Sequence, residues 1–218
     1  MNQLADYIEA NRLAYDSLVK EYGARMPDYQ LRDRFVIAPF VSYLTSTFGR
    51  AQVSVLDVGP GSGLNCKMFS DAGLHATGID VSASMLELAR CTAPQASFLH
   101  GDYLTHDLGG ARFHGIFAKA ILHLFTRPHA KAFIQKSYDL LLPNGLLFLS
   151  VGVDGSRREG FYPKADYGGG VLRYRVYWTE EDLVDILQSV GLDVVYECSN
   201  RESSRGKNWL TILAVRGS

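Results

Sequence analysis

The sequence predicts an α/β fold in which helices cover both faces of a mostly parallel sheet. Between residues 53 and 151, short apolar segments alternate with segments of helical periodicity. Three of the strands end at or next to an acid, Asp57, Asp80 and Asp102, at intervals of 23 and 22 residues. Ligands of such sheets bind at the carboxyl ends of the strands, so these acids are expected at a ligand-facing edge.

The first 48 residues are expected to be helical. Apolar side chains recur at helical spacing over residues 2–22, and a second helix is predicted from Asp28 to about Phe48. The chain of 218 residues is therefore divided into an N-terminal helical lid, 1–48, and an α/β domain, 49–218.

The alternation can be followed element by element. Gly73 closes the first helix after residue 53, Ser82 caps the second, and Pro143-Asn144-Gly145 stops the third. The predicted strands are 53–57, 75–80, 95–100, 115–119 and 145–151, and the helices are 64–72, 82–90 and 128–142.

The remainder of the chain changes character. A loop rich in Gly, Arg and Tyr is expected over 152–170, followed by a strand at 172–178. A helix over 182–190 precedes two final strands, 192–197 and 209–215, which are expected to form an antiparallel hairpin.

Composition excludes several functional classes. A formal net charge of −1 gives no nucleic-acid or anionic-membrane signature, and no apolar run is long enough to span a bilayer. Three cysteines without CxxC spacing and six histidines without an HExxH motif predict no metal site. The first residues lack the pattern of a secretion signal, so we expect a cytoplasmic protein.

Three alternating glycines, Gly59, Gly61 and Gly63, follow the first strand directly. Glycine permits positive φ and leaves no Cβ where the backbone passes close to a ligand and turns into a helix. A dehydrogenase fingerprint has its third glycine three residues after the second, so this turn does not require a pyrophosphate.

Four motifs carry a family resemblance. They are Val55-Leu-Asp-Val-Gly-Pro-Gly-Ser-Gly63, Gly78-Ile-Asp-Val-Ser82, His100-Gly-Asp-Tyr103 and Leu141-Leu-Pro-Asn-Gly-Leu-Leu-Phe-Leu149. The chain resembles the class I S-adenosylmethionine-dependent methyltransferases over nearly its whole length. The resemblance implies a Rossmann-like, seven-stranded, mostly parallel sheet with an antiparallel last strand, helices on both faces and an N-terminal helical lid.

The same resemblance implies how the cofactor S-adenosylmethionine would be held. The turn Gly59–Gly63 would cradle its methionine part, Asp80 would accept both ribose hydroxyls, and Asp102 would accept from the adenine amino group. The residues around the adenine ring would be Val81, Met85 and Tyr103. Asp57 either braces the turn or contacts the cofactor directly.

Within the family, the chain is similar to small-molecule methyltransferases with a helical lid. Tyr22 and Arg25 would then close over the amino acid end of the cofactor, and Ala118 or Lys119 would offer a backbone carbonyl to its ammonium group. Packing of the lid on the core is the alternative for Tyr15 and Tyr22.

One position departs from the family pattern. Many relatives follow the glycines with Arg-Asp, whereas this chain has Leu64-Asn65. Arg25, Arg32, Arg34 or N–H groups of the following helix must then bind the cofactor carboxylate.

Methyl transfer depends mainly on positioning, because a sulfonium leaves as a neutral thioether. His123 is our candidate base for an oxygen or nitrogen acceptor, the alternative being a core histidine. Tyr174 is a second catalytic candidate, from a set of aromatic residues that could line a dry pocket or contact the sulfonium. That set is Phe161, Tyr162, Tyr167, Tyr174, Tyr177 and Trp178.

Arg173 and Arg175 alternate with Tyr174 along one strand. This pattern indicates either a positive surface for an acidic substrate or a solvated edge strand.

Three functions remain open from the sequence. The first is methyl transfer to a small molecule, a specialised metabolite. The second is cyclisation of the cofactor to azetidine-2-carboxylate and methylthioadenosine by attack of its own amine, an alternative motivated by Leu64. The third is a non-catalytic regulator that binds S-adenosylmethionine. No nucleic-acid or membrane partner is expected, and the sequence does not predict an oligomeric state.

Overall fold

The computed structural model describes residues 3–50, 52–164, 170–202 and 207–218. The helices are α1 (Gln3–Asp16), α2 (Val19–Ala24), α3 (Met26–Phe48), α4 (Leu64–Asp71), α5 (Ala83–Thr92), α6 (Arg127–Leu140) and α7 (Glu180–Ser189). The strands are β1 (Ser54–Val58), β2 (His75–Asp80), β3 (Ser97–His100), β4 (Phe113–Lys119), β5 (Leu141–Val153), β6 (Glu159–Pro163), β7 (Leu172–Val176), β8 (Leu192–Glu202) and β9 (Lys207–Arg216). A short 3₁₀ turn, Leu122–Leu124, follows β4.

Seven strands form one sheet in the order β3-β2-β1-β4-β5-β9-β8. The first five pair in parallel, and β9 is antiparallel to both β5 and β8. The predicted fold class, with its antiparallel last strand, is therefore confirmed.

Helices pack on both faces of this sheet. On one face, Phe40 of α3 and Phe69 of α4 are fully buried against Phe117 and Phe148 of the sheet. On the other face, Phe133 of α6 lies in a second buried cluster that includes residues of α7. Helix α3 therefore supplies part of the sheet's own core.

The N-terminal helix predicted over 2–22 is divided into α1 and α2. The break falls at Ser17-Leu18, where the Ser17 hydroxyl donates to the Ala14 carbonyl at 2.8 Å. Serine side chains compete with the backbone for such bonds, which disfavours a continuous helix.

The predicted loop 152–170 contains a strand that the sequence analysis missed. Strand β6 pairs antiparallel with β7 in a separate two-stranded sheet, with Phe161 opposite Tyr174. Its residues are exposed or half-buried in alternation, so this segment lacks the apolar alternation on which strand prediction depends. Tyr167 and the Arg32 side chain lie outside the described residues.

Two structural features are absent from the described part of the chain. None of its helices is long and apolar enough to cross a membrane. No group of three His, Cys, Asp or Glu side chains in that part is placed to hold a metal ion.

Candidate active site

The carboxyl ends of the first strands open into a cavity of about 580 Å³. Its lining also includes residues of helices α1, α2 and α3, of strands β7, β8 and β9, and Lys164, which follows β6. The cavity brings together these predicted site residues: Tyr22, Gly59, Gly61, Asp80, Val81, Met85, Asp102, Tyr103, Lys119 and His123.

The first and last glycines of the turn have different surroundings. Gly59, with φ +71°, lines the cavity, and a Cβ there would lie 2.9 Å from the Ile121 side chain. Gly63, with φ +79°, is absent from the described cavity wall, and a Cβ there would lie 2.7 Å from Cα of Ala89 on α5. Gly63 therefore permits the close packing of α4 on α5 rather than contact with a ligand.

Asp80 ends β2 at the centre of the cavity wall. Its Oδ1 accepts a hydrogen bond from the Ser82 backbone N–H at 2.9 Å. Burial raises the pKa of this carboxyl to about 6, against the lowering effect of N–H donors from Ser82, Gly61 and Val81. These donors fix the carboxylate so that it faces the space beside the glycine turn.

Asp102 follows β3 on the same side. Its Oδ1 accepts from the Leu104 backbone N–H at 3.0 Å, and the residue lines the cavity. Tyr103 also borders the cavity, but its hydroxyl bonds to Ser137 at 2.9 Å inside the core. Only Asp102 of this pair therefore offers a polar side chain to a ligand.

Asp57 lies beneath the turn. It is 1% exposed, is absent from the described cavity wall and accepts a weak bond from the Cys66 thiol at 3.5 Å. Burial is the largest effect on the pKa of Asp57 and raises it to about 7. This environment favours the bracing role over direct contact with a cofactor.

The end of β4 supplies the cavity floor. Ala118 is fully buried within the strand and does not reach the described wall, whereas Lys119 and Ala120 do. The Lys119 ammonium forms an ion pair with the buried Asp33 of α3. Ala120, with φ +58°, donates its N–H to Ser150, so the chain turns here toward the 3₁₀ turn.

Leu64 and Asn65, where relatives carry Arg-Asp, both line the cavity. Asn65 Oδ1 is buried and has no hydrogen-bond partner among the described residues. It is an acceptor suited to an ammonium group of a ligand. Arg25, predicted at this end, lies outside the described wall.

His123, the predicted base, lies in the cavity wall. It is 2% exposed, lines the cavity from the 3₁₀ turn and sits edge-on to Trp209, with ring centroids 6.3 Å apart. It is thus buried, as a core histidine would be, and also faces the site.

Tyr174 is not brought into the site. Its backbone N–H donates to Asn11 Oδ1 at 2.8 Å, and its ring packs on Tyr7 and Phe161 with centroid distances of 5.0 and 5.5 Å. Alternation along β7 directs it away from the face occupied by Arg173 and Arg175. Burial also raises the pKa of Tyr174 to about 12, which makes the phenol a poor base.

Arg173 and Arg175 line the cavity and are only 5% and 8% exposed. The solvated-edge interpretation of their alternation is therefore wrong. Lys164, at the end of β6, is 4% exposed and lines the same region.

Sequence analysis missed a group of polar and aromatic residues at the far end of the cavity. They come from the ends of β5, β8 and β9, namely Ser150, Asn200, Arg201, Trp209 and Thr211. The sequence signal for these residues was the predicted strand 209–215. A strand that runs antiparallel to β5 begins next to the carboxyl end of β5. In the structure, Gly152 of β5 accordingly pairs with Trp209.

The nucleoside end of the cavity fits S-adenosylmethionine. Gly61, where a Cβ would meet no atom closer than 3.9 Å, leaves room beside Asp80, and a carboxylate can accept from two adjacent hydroxyls. The buried Asn65 Oδ1 supplies an acceptor near the helix that follows the turn. This donor and acceptor set matches a ligand that carries ribose hydroxyls and an amino group.

Comparisons with known proteins agree with this geometry. Residues 55–145 match the family described as a methyltransferase domain. A dTDP-3-amino-3,6-dideoxy-α-D-glucopyranose N,N-dimethyltransferase of Streptomyces fradiae is 31% identical over 96 residues, 43% of this chain and 37% of that protein. An uncharacterised protein of Methanocaldococcus jannaschii is 28% identical over 155 residues, 66% of this chain and 41% of that protein.

The fold is shared with a magnesium protoporphyrin IX methyltransferase from Synechocystis, solved with S-adenosylmethionine bound. The TM-score is 0.72 at 20% identity, covering 100% of both chains. The chain spans about two fifths of the length of the curated relatives named above. Over residues 55–145, which carry the glycine turn and the strand-end acids, the chain is therefore similar to methyltransferase domains, and its fold is shared with solved methyltransferases.

Proposed function

We propose that this protein transfers the methyl group of S-adenosylmethionine to a small-molecule acceptor, a specialised metabolite. The observation that carries the proposal is the continuity of the cavity from Asp80 and Asp102 to His123 and Trp209. Such a cavity accommodates a nucleoside at one end and an acceptor beside a candidate base at the other. The Streptomyces fradiae relative, named for methylation of an amino sugar, supports a small acceptor.

When bound, the cofactor supplies a methyl group on a positively charged sulfur, which leaves as a neutral thioether. Asp80 would accept the ribose hydroxyls and Asp102 the adenine amino group, while Val81 and Met85 pack on the base. Asn65 would accept from the ammonium group. These contacts fix the direction in which the methyl group points, and positioning accounts for most of the rate.

The acceptor end would hold the nucleophile and remove its proton. An acceptor oxygen or nitrogen forms the new bond to carbon as the carbon–sulfur bond breaks, and His123 takes the proton that the acceptor loses. Tyr7 and Tyr15 of α1 line the cavity and would exclude water from it.

The test combines binding and turnover. Calorimetry should show S-adenosylhomocysteine binding to the unmodified protein, and Asp80→Ala should weaken it at least roughly tenfold because two charge-assisted hydrogen bonds are lost. Asp71→Ala, an exposed acid on α4, is the matched control and should bind normally. Absence of binding to the unmodified protein would overturn the proposal.

Turnover is then measured with S-adenosylmethionine and a panel of amino sugars, phenols and aryl acids. Release of S-adenosylhomocysteine with a methylated acceptor supports methyl transfer. Methylthioadenosine formed at catalytic turnover without any acceptor would instead establish cyclisation. Binding with neither product from any acceptor would favour the regulator.

A further inference from the structure

Helix α1 is joined to the nucleoside end of the cavity at its last residue, Asp16. The Oδ1 atom of Asp16 accepts a hydrogen bond from the Ser82 hydroxyl, at the start of α5. The backbone N–H of the same serine donates to Oδ1 of Asp80 at 2.9 Å. Two hydrogen bonds, both made by Ser82, therefore connect α1 to the carboxylate that would accept the ribose hydroxyls.

Ser82 is fully buried, and each of its hydrogen-bonding groups is engaged. Its Oγ accepts from the Met85 N–H at 3.0 Å, and its carbonyl accepts from the Leu86 N–H at 3.1 Å. A hydroxyl has a single proton to donate, and here that proton goes to Asp16. Removing the Asp16 carboxylate would leave this proton buried without its acceptor, which is unfavourable. The position of Ser82 therefore depends on α1.

Asp16 is itself oriented by residues of α1. Its second oxygen, Oδ2, accepts from Arg12 Nη1 at 2.6 Å, one helical turn away. Arg12 also donates to both carboxylate oxygens of Glu9, at 2.6 and 2.8 Å. Such pairs, three and four residues apart, are neighbours on a helix surface. The Asp16 carboxylate is thus held with Oδ2 on Arg12 and Oδ1 on Ser82.

This arrangement keeps two acids close together. Burial is the largest cause of the raised pKa of Asp80, about 6, and the charge of Asp16 contributes in the same direction. Two effects oppose the repulsion, the ion pair of Asp16 with Arg12 and the positive end of the α5 dipole. Because an acid beside Asp80 is unfavourable for packing alone, its bond to Ser82 is the feature that gives Asp16 a role.

Asp16 does not belong to the described cavity wall, whereas Asn11 and Tyr15 of the same helix do. Its bond to Ser82 is therefore made from outside the cavity, while its neighbours on α1 face the ligand space. Hydrogen bonds depend strongly on direction, so a shift of Ser82 would turn the Asp80 carboxylate away from one of two adjacent hydroxyls.

We propose that Asp16 is a positioning residue for cofactor binding, which acts through Ser82 to orient Asp80 toward both ribose hydroxyls. This inference rests on the proposed function, in which Asp80 binds the ribose, and it adds a way in which α1 controls that contact.

The experiment uses the full chain and two ligands, S-adenosylhomocysteine and its 2′-deoxy analogue, which lacks one ribose hydroxyl. Calorimetry gives the ratio of their dissociation constants, which measures recognition of that hydroxyl. The ratio is compared between the unmodified protein, Asp16→Ala, Asp16→Asn and Ser82→Ala, and Asp80→Ala gives its value without the ribose acid. Glu21→Ala, which removes an exposed acid from α2, is the matched control. Urea unfolding followed by circular dichroism shows which variants fold.

We expect the unmodified protein and Glu21→Ala to bind the 2′-deoxy analogue at least roughly tenfold more weakly than S-adenosylhomocysteine. The ratio should fall below about threefold in Asp16→Ala, Ser82→Ala and Asp80→Ala, because the carboxylate is misdirected or absent. Asp16→Asn should keep a ratio of at least roughly fivefold, since its amide oxygen still accepts from the Ser82 hydroxyl.

An unchanged ratio in Asp16→Ala would overturn the proposal, even if both ligands bound more weakly, because Asp16 would then only hold α1 in place. An unchanged ratio in Ser82→Ala would do the same, and that variant decides the matter if Asp16→Ala does not fold. A ratio as low in Asp16→Asn as in Asp16→Ala would assign the effect to charge rather than to the bond with Ser82, and also counts against the proposal. If the unmodified protein binds S-adenosylhomocysteine but shows no preference between the ligands, this inference alone fails. If it binds neither ligand, the proposed function fails with it.

Discussion

Single residues in the turn after β1 have separate physical roles despite their regular spacing. Gly59 and Gly63 both have positive φ, but only Gly59 faces the cavity. A Cβ on Gly63 would meet backbone atoms of α5, which cannot move without displacing the helix. Gly73 also has a positive φ, +83°, but a Cβ there would meet no atom within 4 Å. A substitution at Gly73 therefore measures the cost of the backbone conformation without a steric collision.

We predict that Gly63→Ala destabilises the protein more than Gly73→Ala. The left-handed conformation costs each alanine roughly 1–2 kcal/mol, and the collision with Ala89 adds about 1–3 kcal/mol at position 63 alone. Urea unfolding followed by circular dichroism measures both variants. Equal losses would show that close packing of α4 on α5 does not require the glycine.

Asp57 is predicted to make stability dependent on pH. Its pKa of about 7 in the folded state lies above the value of 3.8 expected in the unfolded chain, so the folded state binds the proton more tightly. Stability from this group is therefore present below pH 4 and is lost as pH rises toward 7. Asp57→Asn should gain stability relative to the unmodified protein between pH 5 and pH 8, by a few kcal/mol at about 1.4 kcal/mol per pKa unit.

Chemical unfolding at the two pH values provides the measurement. Asp71→Asn is the control, because Asp71 is exposed in an ion pair with Lys67 and its replacement should have nearly the same effect at both. A constant difference between Asp57→Asn and the unmodified protein would mean that Asp57 stays ionised in the folded state.

At the level of elements, helix α1 is hydrogen-bonded to strand β7 and to the 3₁₀ turn that carries His123. Asn11 is 6% exposed; its Nδ2 donates to the Leu124 carbonyl at 3.1 Å and its Oδ1 accepts from Tyr174 of β7. Tyr7 of the same helix bonds to His129 at the start of α6. One side chain, Asn11, thus couples the lid to the hairpin and to the turn that carries His123.

We predict that Asn11→Ala loosens this connection. It leaves a backbone carbonyl and an N–H without their partner, at a cost of roughly 1–3 kcal/mol each when they stay buried. Affinity for S-adenosylhomocysteine should fall roughly tenfold, and limited proteolysis should cleave α1 faster. Leu13→Ala, on the same helix but 54% exposed, should match the unmodified protein in both measurements.

Prediction from sequence succeeded where a local signal determines the element. The strand-end acids and alternating glycines lie in or next to the turns that follow β1, β2 and β3, and Asp80, Asp102 and Gly59 all line the cavity. Ser82 accepts from the Met85 N–H, as its predicted capping role requires.

Prediction failed where pairing between distant segments decides the outcome. Strand β6 has no apolar alternation of its own and forms because β7 supplies its hydrogen bonds. The burial of Arg173 and Arg175 follows from that pairing and from α1 lying over β7, through Tyr15 and Asn11. Tyr174, one position away, consequently packs on the lid rather than lining the site.

At the scale of the whole molecule, the order of strands assembles the site from distant parts of the chain. Because β9 lies between β5 and β8, Trp209 and Thr211 reach the same cavity as Lys119 at the end of β4. His123 lines this cavity from the 3₁₀ turn after β4. The N-terminal helices then close the cavity from outside the sheet. The molecule therefore consists of a core that folds around the sheet and a cover that completes the binding site, and the boundary between them can be tested.

We propose that this boundary lies after Ala24 rather than after Phe48. Phe40 and Leu44 of α3 are fully buried with Phe117 in the core, and each contributes roughly 1.5–3 kcal/mol, whereas α1 and α2 mainly cover the cavity. Removal of residues 1–24 should leave a protein that unfolds cooperatively in urea but binds S-adenosylhomocysteine at least roughly tenfold more weakly, because Tyr22 and its neighbours are lost. Removal of residues 1–48 should abolish cooperative unfolding, as followed by circular dichroism. A cooperative transition in the longer truncation would instead place all three helices in the cover.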